Sequence, residues 1–101
     1  MNRNLVEAYS YYKEKYAPFI IFFRIDNECR AYFDDAKLLN QTIGASLIDG
    51  YVSYPYDDIL DVVSEMHHHN ISAKIVSHKT SSGRYILPDI EHIKRAEKED
   101  Y

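Results

Sequence analysis

The chain carries one cysteine, three glycines, three prolines and no tryptophan among its 101 residues. A single thiol, Cys29, excludes an internal disulfide and fits a reducing compartment. The glycines stand at 44, 50 and 83, and no Gly-Lys-Ser/Thr sequence occurs, so the chain holds no P-loop and no nucleotide is expected as a ligand. No apolar stretch reaches membrane-spanning length. The short run at 19–23 lacks the basic flank and small-residue cleavage site of a signal peptide. The expectation is a cytoplasmic protein with no membrane partner. A basic excess is also missing: 12 Lys and Arg face 16 Asp and Glu, a net charge of −4. That balance argues against tight non-specific DNA binding by the chain as a whole.

What the chain has in plenty is large rings. Ten Tyr and four Phe accompany a hydrophobic content of 46%, enough for one core and one domain over residues 1–101. Residues 4–16 read as a helix with Asn4 as N-cap, Glu7 in a capping box, and Pro18 just past its end. Phe19 to Ile25 is an apolar, Ile- and Phe-rich run with one charge, as expected of a strand buried on both faces. Asp26 and Asn27 turn it into a return strand, 28–33, and Asp34-Asp35 then caps a helix over 34–42 that Gly44 closes.

Asp49-Gly50 between two short apolar runs predicts a hairpin of 45–48 with 51–54. Asp57-Asp58 begins a further helix that ends in His67, His68 and His69. Residues 71–78 and 84–87 read as strands, and 89–98 as a peripheral helix. The fold class is therefore α/β (α+β), a mixed β-sheet of about five or six strands flanked by helices.

The order strand, hairpin, strand and capped helix across Phe19 to Ala36, with Tyr54-Pro55-Tyr56-Asp57 before the next helix, resembles the N-terminal mismatch-recognition domain of MutS proteins. The similarity spans roughly residues 5 to 88. It implies a free-standing MutS domain I-like fold and a DNA-associated binding role. MutS domains carry a Phe-Xaa-Glu motif on the return strand, where the Phe stacks on a mispaired base and the Glu hydrogen-bonds it. Counted back from Asp34-Asp35-Ala36, those positions hold Glu28 and Arg30 here. A carboxylate does not wedge between base steps as an apolar side chain does, and it meets phosphate repulsion. Mismatch reading is thus expected to be lost.

The remaining constellations are read against simpler roles. Three adjacent His on a helix point about 100° apart and do not converge on one ion, so no metal or other cofactor is expected. His78 and His92 read as isolated. The two Asp pairs are explained by capping, and no constellation supports an enzyme. Arg24, Arg30, Lys74, Lys79 and Arg84 are the DNA-binding candidates, together with Glu28 at its wedge position. Tyr51, Tyr54 and Tyr56 are candidates for an aromatic surface that stacks bases or meets a protein. Two functions follow: a non-enzymatic DNA-associated module, or a protein-interaction or regulatory module reusing the fold. A shared face for Arg24, Arg30, Lys74 and Arg84 would favour DNA. Exposed Tyr and Ile rimmed by acids would favour a protein partner.

Overall fold

The structure is a computed structural model and describes residues 2–99. Its spine is β1 (Ile20–Ile25), whose first four residues, Ile20, Ile21, Phe22 and Phe23, are all fully buried. Removing a Phe of this kind from water is worth about 2–3 kcal/mol. A strand so apolar must be covered on both sides, and it is an interior strand: the main sheet has the order β3-β2-β1-β4. β1 runs antiparallel to β2 (Glu28–Ala31), which runs antiparallel to β3 (Val52–Pro55). It runs parallel to β4 (Ala73–Val76). The sheet is therefore mixed, with four strands. Two further strands, β5 (His78–Lys79) and β6 (Tyr85–Ile86), form a separate ribbon. The Asp26 amide donates to Tyr85 O at 2.9 Å and docks the ribbon against the β1–β2 turn.

Strand alternation divides the core into two layers. Ile20, Phe22, Cys29, Ala31 and Val52 share one face with Ala36 and Leu39 of α2 (Phe33–Ile43) and Ile59 and Met66 of α3 (Ile59–His68). Ile21, Phe23 and Val76 share the other with Ala8 and Tyr12 of α1 (Arg3–Tyr16) and Ile93 of α4 (Ile90–Glu99). The molecule is thus a helix–sheet–helix sandwich.

Several local expectations are corrected. The cap of α1 is Asn2, which accepts the Leu5 amide at 3.2 Å, not Asn4. The cap of α2 is Tyr32, with no side-chain bond, and Asp35 turns away to other partners. The return strand stops at Ala31, before the aromatics. Residues 45–48 form no strand; only Ile48 and Tyr51 bridge across the Asp49-Gly50 turn, and 52–55 pairs with β2 instead. Asp57 and Asp58 lie in a 3-10 turn, Tyr56–Asp58, ahead of α3 and make no capping bond. The stretch 71–78 divides into β4 and the start of β5, because the chain leaves the main sheet after Val76. Gly44 does close α2, at φ 71° with its amide on Leu39 O.

Candidate functional site

The six DNA-binding candidates do not come together. Arg24 pairs with Cys29 and Arg30 with Phe23, so the two arginines leave opposite faces of the sheet. The Arg24 guanidinium is clasped between the Tyr56 and Tyr85 rings, 3.6 Å from each centroid. Arg30 donates to Glu28 Oε2 at 2.9 Å and lies 4.8 Å from the Tyr51 centroid. The Ser53 hydroxyl donates to Glu28 Oε1 at 2.7 Å. That hydroxyl and Arg30 hold the Glu28 carboxyl below its usual range. The Arg84 guanidinium meets Asp26 with two bonds of 3.1 Å on the surface. The three tyrosines are likewise dispersed. Tyr51 lies under Arg30 beside Tyr32, Tyr54 packs edge-on to Phe22 on the opposite face, and Tyr56 covers Arg24.

Lys74 and Lys79 have a different setting. They line an open groove of about 1000 Å³ formed by the end of α1, β4, β5 and α4. Its described lining holds five lysines, Lys15, Lys74, Lys79, Lys94 and Lys98, two histidines, His78 and His92, and one acid, Glu97. Five of the chain's 12 Lys and Arg thus border one concavity in a molecule of net charge −4. The acids Asp57, Asp58, Asp61 and Glu65 are exposed on and before α3, in the opposite helix layer. The local charge of the groove is therefore the reverse of the global charge, and concave basic walls concentrate field.

The groove is also aromatic. Tyr16, Tyr12, His78 and His92 form a continuous track, with successive centroids 6.2, 6.4 and 5.0 Å apart. The Tyr12 hydroxyl and His78 Nε2 are 2.8 Å apart. Burial, then His92, pushes the His78 imidazole below its ordinary value, and burial pushes the Tyr12 phenol up. Lys74 lies 5.0 Å and Lys15 5.5 Å from the Tyr16 centroid. Lys15 also pairs with Glu97, tying α1 to α4 and holding the Glu97 carboxyl down.

No protein-family model matches this chain, and no curated protein matches it.

Sequence reasoning found Lys74 and Lys79 but missed Lys15, Lys94 and Lys98, and it read His78 and His92 as isolated when their rings touch. The helical register of 12 with 16 and of 94 with 98 was the available signal, since each pair shares a helix face. What joins those faces is long-range packing, which no local pattern states. His67 and His68 close α3 and His69 caps it, all three exposed. Among the described residues no three His, Cys, Asp or Glu side chains are grouped to hold a metal. No helix of the described residues is long and apolar enough to cross a membrane. Cys29 is fully buried in the sheet, and burial pushes its thiol up.

Proposed function

We propose that this chain is a non-enzymatic, DNA-associated binding domain of the cytoplasm, of the MutS N-terminal type, that meets its polyanion through the lysine-lined groove. The observation that carries the reading is the gathering of five lysines and two histidines around one concavity of an acidic chain. Binding through it is electrostatic and releases counterions, so affinity falls with salt. The Glu28–Arg30 pair takes no part in reading mismatches on this view, because Arg30 and Ser53 occupy both oxygens of the Glu28 carboxylate and the Arg30 guanidinium is held against Tyr51 with its Nε buried.

The test is a fluorescence-anisotropy titration with matched duplex, mismatched duplex and single-stranded DNA at low and moderate salt. Salt-dependent binding lost in Lys74→Glu and Lys94→Glu, but kept in Arg84→Ala, supports the reading. Absence of binding to every DNA at low salt rejects it.

The alternative, a protein-interaction module, has its own support on the other layer. Leu60 is 77% exposed on α3, which also carries the exposed acids Asp61 and Glu65. Loss of a partner on Leu60→Asp with DNA binding unchanged would favour it.

A further inference from the structure

We propose that the groove takes a single strand of nucleic acid, in preference to a duplex, with bases against the Tyr16–His92 track and phosphates on the surrounding lysines. This rests on the polyanion reading above and names the form of its ligand.

The first reason is shape. A duplex carries its phosphates on a convex outer surface, and proteins meet it with projecting helices, ribbons or arms. Here the cations line a concavity. Lys74 and Lys79 stand on one wall, from β4 and β5, and Lys94 and Lys98 on the other, from α4. A convex duplex touches only such rims, whereas a single flexible strand lies between them and reaches both.

The second reason is the floor. Proteins that hold single strands without sequence preference combine a basic groove with aromatic platforms, because every base has a π-face. Tyr16 and His92 end the aromatic track and are both half-buried. Tyr12, at 7% exposure, and its contact to His78 hold the track from beneath. The Lys74 ammonium lies over the Tyr16 ring, 5.0 Å from its centroid, and a base stacking there would displace it toward the phosphate of the same nucleotide.

The third reason is negative charge elsewhere. The wide duplex footprint would bring phosphates beyond the groove, over a molecule that is acidic overall. A strand confined to the groove avoids that repulsion.

The test is anisotropy with labelled oligothymidylate and a duplex of equal length, on the full chain at two salt concentrations, with poly-glutamate as a competitor. Oligothymidylate should bind about tenfold or more tighter than duplex, the size expected from stacking one or two bases. Lys74→Glu should weaken binding and flatten the salt dependence. Tyr16→Leu, which keeps an apolar side chain against Tyr12, should weaken binding at least fivefold and leave the salt dependence unchanged. A thermal melt of each variant separates lost binding from lost folding, and Tyr16→Ile serves if the Leu variant melts early. Duplex binding as tight as single-strand binding overturns this inference and leaves the polyanion reading standing. Unchanged affinity in folded Tyr16→Leu also overturns it. No binding of either nucleic acid rejects both, and poly-glutamate matching oligothymidylate in affinity assigns the groove to an acidic protein partner instead.

Discussion

Asp35 holds Lys13 at 2.9 Å across the interface between α2 and α1, and with its second oxygen it accepts the buried Ile21 amide at 2.9 Å. Lys13 in turn donates to Phe19 O at 2.8 Å. One carboxylate, 5% exposed, therefore ties both helix layers to the entry of the central strand. Because Asp35 lies in the first turn of α2, the helix dipole also favours its charge.

Asp35→Ala should destabilise the domain by about 3 kcal/mol, since it leaves the buried Ile21 amide without its acceptor and the Lys13 ammonium without its counter-charge, on Phe19 O alone. Lys13→Met should cost about as much, because it strands a buried carboxylate. The double variant should cost less than the two single costs added together. Urea unfolding with a double-mutant cycle measures this, and simple additivity would mean that the pair is not coupled.

Asp35 also marks the limit of what the sequence makes legible. That a helix begins near residue 34 was readable, as was the burial of Ile20 to Phe23, because apolar runs and turn residues are local signals. The partner of Asp35 was not readable, because Lys13 is 22 residues away in the chain and the capping role fitted the same residue equally well. The groove failed to appear for the same reason: its lysines come from α1, β4, β5 and α4 and meet only once those elements pack. Residues 45–48 went the other way. Their alternation and the Asp-Gly turn favoured a hairpin, but β3 pairs with β2 at Cys29↔Tyr54 and Ala31↔Val52, and 45–48 is left with a single bridge. Tertiary pairing outweighed the local pattern.

Cys29 should be inert in the folded protein. Its thiol is fully buried and pushed above its ordinary value by burial, so little thiolate forms and no reagent reaches it. Labelling with an aromatic disulfide reagent should be slow in buffer and rise with urea in step with global unfolding. Fast labelling in buffer, with the sheet intact by circular dichroism, would show that β2 opens locally.

Stability should fall as pH is lowered from about 7.5 to 5.5, through His78. Burial and the neighbouring His92 depress its folded value below the ordinary 6.5, so below that pH the unfolded chain binds more protons than the folded one. The contribution is present above about 6.5 and is lost as pH falls towards the folded value. Glu28 and Glu97, whose folded values are also lowered, act in a different window: their contributions are lost only below their ordinary 4.5. Thermal melts across pH 5.5 to 7.5 should therefore show a decline that His78→Gln reduces. A decline of the same size in His78→Gln would place its source elsewhere.

The chain should not prefer mismatched over matched duplex DNA. On the proposed MutS-type reading, the two positions of a stacking Phe and a base-reading Glu hold Glu28 and Arg30 here, and both side chains are already engaged. Glu28 accepts from Arg30 at 2.9 Å and Ser53 at 2.7 Å, and the Arg30 guanidinium lies against Tyr51. Inserting Glu28 between base steps would first break both bonds and then bring a carboxylate among phosphates. The groove lysines do not help, since β4 is two strands from β2 in the sheet, with β1 between them and α1 packed over it. Matched and mismatched duplexes should bind within tenfold of each other, about 1.4 kcal/mol. The variant Glu28→Phe with Arg30→Glu inverts this surface: it exposes an aromatic ring, removes the Ser53 acceptor and takes the cation from Tyr51. It should melt below the wild type, and its mismatch preference should stay under tenfold as well, because the lysines on that side of the sheet line the groove beyond β1 and not the strand that carries the wedge. A tenfold mismatch preference in the unaltered chain would show that Glu28 and Arg30 rearrange on DNA.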